Sequence, residues 1–277
     1  MPEFRTLTAT VDGRVGRLTL NQPEKLNPLG STTLRELIEA AAWFDATDAA
    51  VVIVSGAGRA FSAGFDLREF GGTDRAADGD AHGDHDGDHD AANRSTGGSV
   101  GSSADLGRRM ADAVEQMEAL TIAAIAGPCI GGGVVLVSAC DMRIAADDTT
   151  FAIPEVDLGI PLTWGGIPRL VRVIGPAMTC ELVLTCRPFD AEEARSMGFV
   201  NRVVARDDLE STIDELAASL THKAPSIVAT TKRQVLEAAQ DLVSTAGSWA
   251  DVTLMEAALR DPEARAAARD YLARRTR

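Results

Sequence analysis

Apolar and polar residues largely alternate at the start of the chain. Residues 6–11 (TLTATV) and 14–20 (RVGRLTL) flank Asp12-Gly13, a dipeptide suited to a tight turn, so the pattern predicts an antiparallel hairpin. Pro23 and Pro28 bracket an irregular stretch. Leu34, Leu37, Ile38, Ala41 and Ala42 then recur at helical spacing, with Thr33 and Glu36 placed for a capping box. The unbroken run VVIVSG at 51–56 predicts a buried strand. Leu106, Met110, Ala113, Val114 and Met117 fall on one helical face, followed by a strand in TIAAIAG (121–127). MRIAA (142–146) and TFAIPE (150–155) predict two short strands, and 165–175 and 176–186 two helices. FDAEEARSMG (189–198) carries Asp190 as a helix cap and Gly198 as a stop, ahead of a strand in FVNRVV (199–204). From residue 206 onward the chain is nearly all helix former, interrupted at Pro225 and Pro262. Helices alternating with strands define an α/β class. The organisation expected is a core over 1–205 and a helical region over 206–277 that serves oligomerisation.

Residues 71–105 break the periodicity. They hold almost no large apolar side chain, and eight aspartates stand against two arginines, which accounts for six of the fourteen net negative charges. A disordered acidic loop insertion is the expectation. His82, His85 and His89 within it have a spacing that would suit a metal on a helix, but the interleaved glycines and aspartates disfavour that helix, so no metal site is assigned.

A net charge of −14 opposes any nucleic-acid or anionic-membrane partner. No run of 18 apolar residues occurs, and the N-terminus lacks the basic and apolar regions of a signal peptide, so a cytoplasmic location is expected. Cys129, Cys140, Cys180 and Cys186 form no CxxC pair and are read as reduced, small buried hydrophobes.

Two junctions carry the candidate chemistry. FSAGFDL (61–67) follows the strand at 51–56, and GPCIGGGVVL (127–136) follows the strand at 121–127. Each puts small residues directly past a buried strand, where backbone amides can approach a ligand. The glycine triplet opens a run of helical character, so its amides favour negative charge. It is no dinucleotide fingerprint, because the GxGxxG spacing is absent.

With NQPEKLNPL (21–29), VVIVSGAGRAFSAGFDL (51–67), AAIAGPCIGGG (123–133), ACDMRIAADDTTFAIPEVDLGI (139–160) and FDAEEARSMGFVNRVV (189–204), in that order, the chain resembles the crotonase family of enoyl-CoA hydratases and isomerases. The resemblance implies a spiral of ββα turns with a helical C-terminal region, acyl-CoA thioester substrates, and assembly as a homotrimer or a dimer of trimers. No cofactor is implied, since coenzyme A is part of the substrate. The resemblance further implies that the amides of Ala63 and Gly132 form an oxyanion hole. Ala63, Gly64, Phe65 and Asp66 would line the CoA site, Lys25 would help hold its phosphates, and Trp164 would line the acyl pocket.

An oxyanion hole stabilises an enolate, and a base must still remove the α-proton. Hydratases of the family use two glutamates. The first slot, three residues after Gly132, holds Val135 here, while the second, in AIPEVDLGI, holds Glu155. Dienoyl-CoA isomerases need acids at the Val135 slot and at the position of Thr163, and this chain has neither. The arrangement is similar to that of the monofunctional Δ3,Δ2-enoyl-CoA isomerases, with Glu155 as the single acid/base. The alternative readings are a 2-enoyl-CoA hydratase with one glutamate, and a non-catalytic acyl-CoA-binding protein.

Overall fold

The computed structural model describes residues 2–66 and 90–275, with side chains described over 2–66 and 103–274. The hairpin forms as its alternation requires: β1 (Leu7–Asp12) and β2 (Val15–Leu20) are antiparallel, with Leu7 opposite Leu20. After α1 (Ser31–Asp45) comes β3 (Val51–Gly56), whose first four residues are all buried, as a strand covered on both faces must be. The chain continues through α2 (Asp90–Gln116), β4 (Leu120–Ile125), β5 (Pro128–Ile130), α3 (Gly132–Ser138), β6 (Met142–Ala146) and β7 (Thr150–Ala152). Then follow α4 (Gly166–Thr185), β8 (Phe189–Asp190), α5 (Ala191–Ser196) and β9 (Arg202–Val204). Helices α6 (Leu209–Thr221), α7 (Pro225–Leu242), α8 (Asp251–Arg260) and α9 (Pro262–Arg275) complete it.

The strands form two sheets, one in the order β1-β2-β3-β4-β6-β9 and a smaller one in the order β5-β7-β8. From β4 the chain steps across to β5, returns through α3 to β6, and steps across again to β7. Each turn of this spiral gives a strand to each sheet. The preceding turn repeats the move in reduced form, because after β3 Ser62 bridges Cys129 of β5. The loop after β3 and the loop after β4 therefore run side by side, with Ser62 N–H donating to Pro128 O and Ile130 N–H to Ser62 O.

Three expectations from sequence are corrected. Thr33 and Glu36 form no capping box. Helix α1 is preceded by Gly30 without a side-chain cap, and the Glu36 carboxylate accepts instead from the N–H groups of Arg5 and Thr6 (2.8 and 2.9 Å) and pins the N-terminal segment. The acidic stretch expected as loop to residue 105 is helical from Asp90, and Ala104 within that helix packs with Met255 of α8. Residues 71–89, with the three histidines, lie outside the described residues. In the helical region from 206, Leu209, Ile213 and Ala217 of α6 close the second face of the sheet over Val51, Ile53, Ile122 and Ile144. Finally, Cys129 and Cys140 are buried but Cys180 is exposed. Burial pushes the Cys129 thiol well up and that of Cys140 to about 12, so neither is a nucleophile at neutral pH. Among the described residues, no helix is long and apolar enough to cross a membrane.

Candidate active site

The paired loops meet a third element, the turn after β7. There Pro154 and Glu155 bring a carboxyl back over the start of α3. Glu155 is 9 % exposed, and its Oε2 is buried with no hydrogen-bond partner. Gly131 makes this possible: its φ is +51°, and a Cβ at that position would collide with Glu155 Oε1. Desolvation raises the Glu155 pKa from its usual 4.5 to about 7, against a smaller opposing pull from its own backbone N–H. A carboxyl poised there can take a proton and give it back near neutral pH.

Glu155 shares a cavity with Phe65, Gly132, Val135, Thr163 and Trp164. Gly132 and Val135 are three apart on α3 and so face the same way. Gly132 is the first residue of that helix, so its N–H has no acceptor within the helix. Val135 is fully packed and presents a dry wall at the first carboxylate slot. Thr163 lines the same cavity, which places the other acid slot of the dienoyl-type arrangement inside the site without an acid in it. Trp164 lies edge-on to Phe65, with ring centroids 6.1 Å apart.

The expected oxyanion hole needs one correction. The Ala63 N–H donates to Leu26 O at 2.8 Å, and that of Gly64 to Ser62 Oγ at 3.1 Å. Both amides face into the loop packing. The loop residue that lines the cavity beside Gly132 is Phe65, two positions on. Sequence alone does not reveal that Leu26 takes up the Ala63 amide, because that depends on how the loop docks on residues 26–29.

Lys25 and Asp66 lie apart from this cavity. They line a second, polar recess with Arg5, Gln22 and Thr32, and Lys25 is about half exposed. Sequence reasoning missed Ser103 on α2 and Met255 on α8, which also line the Glu155 cavity. No local signal marks either. Met255 falls on an amphipathic helix whose target only the fold reveals.

The two-sheet spiral, with two strand-end loops and a buried carboxyl converging on one cavity, defines the crotonase fold. Solved structures agree: an enoyl-CoA hydratase/carnithine racemase from Magnetospirillum magneticum superposes with a TM-score of 0.74 at 28 % identity, over 85 % of this chain and 82 % of that one. The family model for enoyl-CoA hydratase/isomerase matches residues 10–96 and 90–277. The "probable enoyl-CoA hydratase echA8" of Mycobacterium tuberculosis is 35 % identical over 81 % of both chains. The peroxisomal Δ(3,5)-Δ(2,4)-dienoyl-CoA isomerase of Arabidopsis thaliana is 33 % identical over 85 % of this chain and 83 % of its own. The chain belongs to the enoyl-CoA hydratase/isomerase family and is an enzyme of the crotonase superfamily.

Proposed function

We propose that this enzyme is a Δ3,Δ2-enoyl-CoA isomerase. The observation that carries this reading is that, among the described residues, Glu155 is the one carboxyl lining a cavity whose other two acid slots hold Val135 and Thr163. The Glu155 carboxylate removes a proton from C2 of a 3-enoyl thioester, breaking the C–H bond and leaving a dienolate. The Gly132 N–H donates to the thioester oxygen as charge builds there; one such donor typically accounts for about 3 to 4 kcal/mol. The protonated Glu155 then delivers the proton to C4, and the double bond comes to rest between C2 and C3. The wall at Val135 keeps water out and sustains the raised pKa of the base. Coenzyme A enters as part of the substrate, with Lys25 and Arg5 in the outer recess as the cations for its phosphates. The exposed Ile227, Val235, Leu242, Trp249 and Leu254 on and around α7 and α8 serve self-association, as a homotrimer or a dimer of trimers. Sedimentation as a monomer at micromolar concentration would contradict that assembly.

The test is conversion of a 3-enoyl-CoA to its conjugated 2-enoyl isomer by wild type and Glu155→Gln. Loss of conversion by about 10²-fold or more with acyl-CoA binding retained is expected. Unchanged turnover would sink the proposal. The alternative, hydration of a 2-enoyl-CoA by one glutamate, is favoured by the Thr163 hydroxyl in the cavity, a group able to hold a water. Loss of the conjugated absorbance of crotonyl-CoA, without isomerase activity, would select it.

A further inference from the structure

The indole of Trp164 lines the Glu155 cavity and is held from several sides. Its ring lies against two glycines on two different helices: a Cβ on Gly107 of α2 would overlap the indole at Cε2 and Nε1, and one on Gly132 of α3 would meet it at Cζ3 and Cη2. Trp164 has φ +62° and Gly165 has φ +67°, so two consecutive residues take the left-handed conformation, which a bulky side chain rarely adopts. The peptide is clamped from both sides. The Arg169 guanidinium, 1 % exposed, donates from Nη1 to the carbonyls of Trp164 and Gly165, each at 3.3 Å. Its charge is balanced by Asp112 and Glu115 at 2.9 Å each. On the other side, Asp251 Oδ2 accepts the Gly165 N–H at 2.8 Å, and Asp251 opens the same helix that sends Met255 into the cavity.

We propose that Trp164, wedged between Gly107 and Gly132 and locked by Arg169 and Asp251, is the specificity-determining residue that closes the acyl pocket behind Glu155 and restricts the substrate to short acyl chains. The proposal rests on the acyl-CoA reading above. A strained tryptophan seated in two glycine slots and fixed by a buried ion-pair network is a stop that packing alone would not require. The indole lines the same cavity as Glu155, so an acyl chain that fills this cavity shares it with the ring. Arg169 and Asp251 act as positioning residues, through Trp164 and not on the substrate.

The experiment compares wild type, Trp164→Ala, Trp164→Phe and Asp251→Asn with four- and ten-carbon 3-enoyl-CoAs for kcat/KM. The saturated butyryl- and decanoyl-CoAs are measured in parallel for Kd by calorimetry. Excluding a methylene group from a tight pocket is worth about 10- to 200-fold. Wild type should favour the short chain by at least about tenfold in both readouts. Trp164→Ala should reduce or invert that ratio by a similar factor, and Trp164→Phe and Asp251→Asn should fall between, which keeps the test open if the alanine variant does not fold. Chain-length ratios that stay parallel to wild type in all folded variants overturn the proposal. A shifted Kd ratio without turnover in any protein supports Trp164 as the stop and overturns the isomerase reading. Absence of acyl-CoA binding by wild type overturns both.

Discussion

A side chain at Gly131 would stand where the Oε1 of Glu155 now lies. In the proposed reaction the glycine triplet thus has a double role: Gly132 offers an amide, and Gly131 makes room for the carboxyl proposed as the base. Gly131→Ala should displace the carboxyl and also strain a backbone at φ +51°. The expected outcome is a fall in kcat of about 10²-fold or more with a much smaller change in KM, since the binding surfaces stay in place. A proportional rise in KM at constant kcat would contradict it.

Glu155 also leaves a signature in stability. Its folded pKa, about 7, lies above the 4.5 of an unperturbed carboxyl, so the native state holds the proton more tightly than the unfolded chain does. Its contribution to stability is fully present below pH 4.5 and is lost as pH rises to about 7, a difference of about 3 kcal/mol in all. Denaturant unfolding of wild type and Glu155→Gln from pH 4 to 8 should show the variant gaining relative to wild type across that window. The kcat/KM of wild type should rise with pH through about 7 as the base ionises. Parallel stability curves for the two proteins would remove Glu155 as the buried titrating group.

Val135 sits at the slot where a second carboxylate would create a water site. Val135→Glu should raise hydration of crotonyl-CoA relative to isomerisation, by about tenfold or more, at some cost in stability from burying a carboxyl. A folded variant with an unchanged ratio of the two activities would show that the apolar wall does not decide between them.

Gly107 poses a conflict between local and tertiary preference. Alanine in a helix interior is ordinarily favoured over glycine by about 0.5 to 1 kcal/mol. Here the added methyl would meet the indole of Trp164, so Gly107→Ala should destabilise by about 1 to 3 kcal/mol. In a Trp164→Ala background the same change should become neutral or stabilising. A double-mutant cycle by chemical denaturation measures the coupling, and additivity would mean that the two residues do not touch.

Lys232 ties α7 to the large sheet. Its Nζ donates to Ala119 O and pairs with Asp141 Oδ2, both at 2.8 Å, while the lysine side chain is 6 % exposed and that of Asp141 is 23 %. Breaking a buried pair by removing one partner costs about 3 to 5 kcal/mol. Partial exposure of Asp141 lowers that to about 2 kcal/mol or more for Lys232→Met. A change below half of this in thermal or denaturant unfolding would make the contact incidental.

Much of this protein is written locally. The hairpin turn at Asp12-Gly13, the buried run at 51–56, the cap of Asp190 on the Glu193 N–H and the kink that divides α4 at Gly175-Pro176 all follow from short-range pattern. The pairing of one glutamate at 155 with valine at 135 is implied by the family resemblance, whereas the two small-residue loops after buried strands also follow from short-range pattern. These are properties of residue type and spacing, which need no knowledge of what packs where. Tertiary structure alone decided the rest. It turned the Ala63 amide inward to Leu26 and left Phe65 at the cavity, and it recruited Glu36 away from its own helix terminus to the N-terminal segment. It packed Ala104 of α2 with Met255 and brought Met255 and Asp251 from the C-terminal helices to the site. Each depends on a partner between about thirty and two hundred residues away, and the energy of such a contact comes from burial and hydrogen bonding that exist only once the chain has closed around it.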